Sequence, residues 1–259
     1  MDQWKSDLDI VRSAVQGASV VAMQHFLRSP NVWWKNGGNS PVCEADIAVN
    51  NYLESFLMPL RPSYGWMSEE TDDDLKRLNY ETLFVVDPID GTRAFIEDRK
   101  EWCISVAVVH RGRPVVGVIH AAALGQEFFV SIGTKSTFNG KKMSVSSTKA
   151  GDVLMVMAND CSLKGLESHV YFQRKPSIPS LCLRLAMVAN GDVDVVIVNR
   201  NSNDWDLAAV DLLIECAGGM IVDANGKLLT YNNYQVSHDV LFASTKWHFT
   251  SFKNHLLTL

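Results

Sequence analysis

No Lys/Arg block, no apolar run of membrane-spanning length, no CxxC pair, no histidine pair at zinc-ligand spacing and no low-complexity tract occurs in these 259 residues. Each absence removes a class of function. With no clustered base and a net charge of −5, no standing nucleic-acid or anionic-membrane surface is expected. A bilayer crossing needs about 18 or more consecutive apolar residues, and no stretch approaches that. The N-terminal residues include Asp2, Lys5, Asp7, Asp9 and Arg12, where a secretory signal carries its apolar core, so the expected compartment is the cytoplasm. Cys43, Cys103, Cys161, Cys182 and Cys216 are odd in number, widely spaced and set in apolar surroundings, which reads as reduced core thiols rather than disulfides. The seven histidines are read as structural or surface groups, His25 on the apolar face of the first helix.

What the sequence does have is acid at the ends of apolar segments. Ser68-Glu69-Glu70 precedes Asp87-Pro88-Ile89-Asp90-Gly91-Thr92, and Trp205-Asp206 opens an apolar helix far downstream. An unpaired buried carboxylate is too costly to keep, so these groups must be hydrated, paired with bases or bound to hard cations. No basic residue sits inside either cluster, and metal is the leading reading. Leu83-Phe84-Val85-Val86 is a buried strand that delivers Asp87 to its carboxyl edge. Pro88 stops the ladder and starts a tight turn, and Gly91 lets the backbone approach a ligand. A helical turn starting near Thr92 would point free N–H groups at the same place, giving a phosphate cradle beside metal-binding carboxylates. Asp-Pro and Asp-Gly are also ordinary turn dipeptides, and only their combination points to chemistry.

Two further acids have competing readings. Asp206 in a first helical turn is explained as a cap on a helix that Gly218-Gly219 closes, and Asp46 as the cap of the helix carrying Ile47, Val49, Leu53 and Leu57. Asp204 is read as hydrated surface or as the cap itself. Trp33-Trp34-Lys35-Asn36-Gly37-Gly38 reads as a mobile loop whose tryptophans either pack normally or close over substrate.

Spacing along the chain gives an α/β, in detail α+β, protein of two lobes, residues 1–146 and 147–259. In the first, helices near 6–28 and after Asp46 cover a largely antiparallel sheet with strands near 104–109, 115–119 and 128–130. In the second, strands near 153–157, 193–198, 220–222 and 241–243 alternate with helices at 181–189 and after Trp205. The boundary falls within Ser144 to Gly151.

The acidic motifs, with Asp-Pro-Ile-Asp-Gly-Thr, Trp-Asp-Leu-Ala-Ala and the glycine pair at 218–219, occur in an order and spacing that resembles the inositol monophosphatase family of Mg2+-dependent, lithium-sensitive phosphatases. The resemblance implies a layered αβαβα phosphatase fold and two or three Mg2+ held by Glu69, Asp87, the Ile89 carbonyl, Asp90 and Asp206. Glu70 has the weaker claim of its pair. It further implies that Thr92, oriented by Asp46, positions the attacking water, Glu69 also counting as catalytic, and that the Gly91 and Thr92 amides take the phosphate. Cys43 stands where the family has a threonine. Ser180, Arg184 and Asn199 lie where substrate contacts are expected, although surface loops account for them equally well. The implied activity is phosphomonoester hydrolysis of a small phosphorylated metabolite, inositol monophosphate being the first expectation. Histidinol phosphate and 3′(2′),5′-bisphosphate nucleotides are alternatives. A homodimer is implied too, and a transcription or RNA-processing accessory role is the competing class.

Overall fold

Apolar residues at helical spacing bury one side of α1 (Asp2–His25), with Val11, Ala14, Val15, Ala18 and Ala22 fully enclosed. The computed structural model describes residues 2–35, 40–149, 151–164 and 170–256. After α1, β1 (Val32–Lys35) and β2 (Ser40–Cys43) form an antiparallel ribbon. Trp33 and Trp34, expected in a loop, therefore lie on a strand, while Asn36, Gly37 and Gly38 of that expected loop fall outside the described residues. Next comes α2 (Glu44–Leu60), which packs beside α1.

Both helices cover one face of a seven-stranded sheet made of β3 (Gly65–Ser68), β4 (Thr82–Asp90), β5 (Cys103–His110), β6 (Arg113–Ala121), β7 (Gln126–Ser131), β8 (Thr137–Phe138) and β9 (Lys141–Lys142), in sequence order. Every pairing is antiparallel except β3 with β4. A short helix, α3 (Thr92–Ile96), follows β4. Strand alternation supplies two cores from one strand. Phe84 and Val86 of β4 point into the α1–α2 core, and Leu83 and Val85 into the core on the opposite face.

That opposite core is closed by α5 (Leu181–Ala189) and α6 (Asp204–Ala217). Beyond them lies a five-stranded sheet of β10 (Leu154–Met157), β11 (Phe172–Arg174), β12 (Val195–Val198), β14 (Met220–Asp223) and β16 (Leu241–Ser244), ordered β11-β10-β12-β16-β14. Its outer face is covered by α7 (Lys246–Leu256), with Phe249 and Phe252 against Phe242. The result is the α–β–α–β–α layering expected. The remaining described elements are α4 (Asp160–Leu163), the two-residue pair β13 (Ser202–Asn203) and β15 (Ser237–His238), and short 3-10 helices at Lys76–Asn79 and Ala122–Leu124. The core against α5 and α6 takes side chains from both sides of residue 146, Val130 and Met143 together with Leu185 and Leu213.

Two local expectations are corrected. Pro88 does not end its strand: β4 continues to Asp90 through a register shift, the ladder stepping from Asp87↔Ser105 to Asp90↔Cys103. The shift leaves Pro88, which has no N–H to contribute, out of the pairing. Cys161 is exposed on α4 rather than in a core, whereas Cys43, Cys103 and Cys182 are buried and all five thiols are free. Among the described residues no helix is long and apolar enough to cross a membrane.

Candidate active site

The parallel pairing of β3 with β4 sets two acidic ends side by side. Ser68 is in register with Val86, and the Glu69 N–H continues the ladder to the Val86 carbonyl at 3.2 Å, so Glu69 and Asp87 emerge from adjacent strand ends. The bulge after Asp87 turns Asp90 toward α5. There its carboxylate accepts the N–H groups of Leu181 (3.2 Å) and Cys182 (2.7 Å) and the Ser180 hydroxyl. Gly91 follows at φ +96°, a conformation L residues rarely adopt, and an added Cβ would sit 3.0 Å from the Glu101 carbonyl. The first turn of α6 presents Asp206, whose Oδ2 accepts the Asn203 N–H at 2.6 Å. The cap reading of Asp206 is thus correct, and it leaves the other oxygen for a second task.

Carboxylate oxygens of Asp87, Asp90 and Asp206 lie within 4.8 Å of one another. Burial, then repulsion from Glu69 and Asp90, holds Asp87 well above the usual carboxylate range. Glu69 is raised likewise by burial and by Asp206 and Glu70, and burial with Asp90 beside it pushes Asp206 to about 7. Asp87 Oδ1 is buried with no hydrogen-bond partner among the described residues. Crowded, desolvated hard-oxygen donors with an unpartnered oxygen among them fit a divalent cation such as Mg2+. Glu70 is drawn away from this group by an ion pair with Lys35. A base thus does reach one of the clusters, from a segment 35 residues earlier.

Behind the carboxylates, the Thr92 hydroxyl lies 3.1 Å from Asp46 Oδ1 and 3.0 Å from the Ile89 carbonyl. Asp46 also accepts the Cys43 N–H (2.8 Å) and the Cys43 thiol (2.9 Å) on Oδ2. The thiol fills the hydroxyl position of a capping box, and burial beside Asp46 pushes it up to about 12, so it stays a neutral donor. Burial pushes Asp46 itself to about 6.

A cleft of about 600 Å3 gathers Glu69, Asp87, Ile89, Asp90, Gly91, Thr92 and Asp206 on one side and Arg93, Arg99, Ser177 and Arg184 around them. Arg184, expected among the substrate contacts, lines it. Ser180 is fully buried, its hydroxyl donating to Asp90 and accepting from the Leu183 N–H at 3.1 Å, so in this structure it holds Asp90 and caps α5. Asn199 is exposed at the end of β12, where its carbonyl oxygen accepts from Asn159 at 2.7 Å, and it is not among the cleft-lining residues. Asp204 is fully buried, bonded to the Asn232 N–H and to His238 Nε2, both at 2.8 Å, which corrects the reading of it as hydrated surface. Sequence reasoning missed Arg99, Ser177 and Lys35. It also missed the thiols of Cys103 and Cys182, which lie within 4.8 Å of Asp90. No spacing signal joins these residues to the acidic motifs.

Against known proteins, the inositol monophosphatase family profile matches residues 4–254. The chain is 30% identical to a fructose-1,6-bisphosphatase/inositol-1-monophosphatase of Thermotoga maritima, over 85% of this chain and 86% of that protein. It is 29% identical to the 3′(2′),5′-bisphosphate nucleotidase CysQ of Aggregatibacter actinomycetemcomitans, over 80% of each. Among solved structures, an inositol monophosphatase of Thermotoga maritima superimposes with a TM-score of 0.82 at 24% identity, covering 100% of this chain and 98% of that one.

Proposed function

The chain belongs to the inositol monophosphatase family and is a phosphoric monoester hydrolase, and on that premise we propose that it removes one phosphate from a nucleoside 3′(2′),5′-bisphosphate. The observation that carries this reading is the set of three arginines, Arg93, Arg99 and Arg184, lining the same cleft as the carboxylates. A guanidinium matches phosphate in shape and charge, and the reacting phosphate already has the acidic end of the cleft. A monophosphorylated polyol, the first expectation from sequence, would present hydroxyls there and call for acceptors, of which the lining beside the arginines has Glu97, itself 3.7 Å from Arg99. Relatives named as bisphosphate nucleotidases support the same choice.

Mg2+ held by Glu69, Asp87, the Ile89 carbonyl, Asp90 and Asp206 would supply the charge that neutralises the phosphate, acidifies the attacking water and stabilises the leaving alkoxide. The chain supplies position and proton control. The Thr92 hydroxyl has one proton, and when it donates that proton to Asp46 its oxygen is left to accept a hydrogen bond from the attacking water, which orients the water. Asp46, at about 6, is ionised near neutral pH and keeps Thr92 in that orientation. The Gly91 and Thr92 N–H groups cradle the phosphate oxygens, and the arginines hold the second phosphate. Two or three Mg2+, inhibition by lithium and a homodimer belong to the same proposal.

The deciding experiment is phosphate release with Mg2+ from adenosine 3′,5′-bisphosphate, fructose 1,6-bisphosphate, inositol 1-phosphate and histidinol phosphate. The nucleotide should give the highest kcat/KM, and Arg99→Ala should raise its KM. A preference for inositol 1-phosphate would overturn the reading. No phosphate release from any of the four, with co-purification of transcription components, would favour the accessory role.

A further inference from the structure

Two tryptophans of the β1–β2 ribbon belong to none of the three core clusters, Trp33 being 41% and Trp34 55% exposed. Ladder register separates their roles. Trp34 pairs with Pro41 and Val32 with Cys43, while Trp33 pairs with Val42 and Lys35 with Ser40. Residues directly opposite each other in an antiparallel pair share a face. Pro41 lines the cleft together with Asp87, Thr92 and Arg93, and Cys43, on the same face, reaches Asp46. Trp34 therefore shares the face by which Pro41 enters the cleft, next to but not within the lining, and Trp33 shares the face of Val42, which is buried, and of Lys35, which reaches Glu70.

At about 600 Å3 the cleft falls in the size range of sites that enclose whole organic ligands, well beyond a single phosphate. The polar lining accounts for phosphates and sugar hydroxyls. The apolar contribution of the ribbon to the lining is Pro41, and the exposed indole of Trp34 lies opposite it on the same face of the ribbon, outside the lining.

The geometry points to Trp34 as a specificity-determining residue, the platform on which the planar base of the nucleoside stacks. This assignment rests on the nucleoside-bisphosphate reading above. Every base has a π-face, so the platform discriminates base from no base and tolerates exchange among bases.

The test is the ratio of kcat/KM for adenosine 3′,5′-bisphosphate over fructose 1,6-bisphosphate, which carries two phosphates and no base, in wild type, Trp34→Ala, Trp34→Phe and Trp33→Ala. Stacking strengths of aromatic side chains on bases correspond to a fall of roughly tenfold or more in that ratio for Trp34→Ala, carried mainly by KM. Trp34→Phe should keep most of the ratio, and Trp33→Ala should alter it less than Trp34→Ala. If the wild type cleaves the nucleotide and the ratio is the same in Trp34→Ala, the platform is overturned while the substrate reading stands. If the wild type prefers base-free substrates throughout, the substrate reading falls and the platform with it.

Discussion

Asp87 and Asp90 sit three residues apart in one motif and answer to different neighbours. Asp90 accepts two backbone N–H groups and the Ser180 hydroxyl, and so secures the start of α5. An amide in its place would turn N–H groups against donors, so Asp90→Asn should lose both activity and stability. Asp87 Oδ1 has no hydrogen-bond partner among the described residues, and Asp87→Asn removes one charge from a repelling group. Phosphate release by Asp87→Asn should fall by about 100-fold or more, while its urea midpoint without Mg2+ stays equal to or above that of wild type. Near-normal turnover would remove Asp87 from the cation set. Cys43 gives a second test at this scale. Threonine restores an oxygen donor at the position of the thiol that reaches Asp46, so Cys43→Thr should keep kcat within a few-fold, and a large loss would show that the thiol is specifically required.

Among the elements, α6 and β6 meet in a close backbone approach. A Cβ added at Gly117 would lie 2.5 Å from the Ala209 carbonyl and 3.1 Å from its Cα. Neither is the end of a flexible side chain, so the helix must shift, and overpacking of this kind costs about 1–3 kcal/mol. Gly117→Ala should lower the urea midpoint accordingly, and because α6 carries Asp206 the shift should also lower kcat; unchanged stability would mean that α6 rides freely over the sheet. The elements themselves were legible wherever a period of 2 or 3.6 ran long enough, as in α1, β5, β6 and α6. Their limits were less so: the ribbon of β1 and β2 was hidden because two successive tryptophans break the alternation of apolar and polar residues, and the extent of β4 because a bulge absorbs the proline.

Across the whole molecule, buried acids set the response to pH. Asp46 and Asp211 are pushed to about 6 and Asp206 to about 7, burial being the first cause in each. Each folded value lies above the ordinary 3.8, so folding favours the neutral form. The stability these groups contribute is complete below about pH 4 and is lost as the pH rises through 6 to 7. In EDTA, thermal midpoints should therefore fall between pH 5 and pH 8, and Asp211→Asn, at a position outside the cleft lining, should flatten part of that slope. A midpoint that rises over this interval would contradict the assignment. Mg2+ at 100 times its Kd adds about 2.7 kcal/mol, roughly 5–10 °C for a chain of this size, at pH 8. Glu69→Gln and Asp87→Asn should reduce that gain.

What the residues determine among themselves is local: the periods that make α1 or β5, the positive-φ glycine at 91, the acidic ends of β3 and β4. These depend on neighbours a few positions away, so the acidic strand ends and the turn at Gly91 could be read in one dimension. Asp204 and Asp206 show the limit. Two residues apart on a helix of 3.6 residues per turn, they point to nearly opposite sides, one to His238 and the Asn232 N–H, the other into the cleft, and only the packing of α6 decides which is which. The same holds for Lys35 on Glu70, Arg184 lining the cleft beside Asp90 and Asp206, and the α5 N–H groups on Asp90. Each joins segments tens of residues apart, and only the closing of the layers brings them within bonding distance.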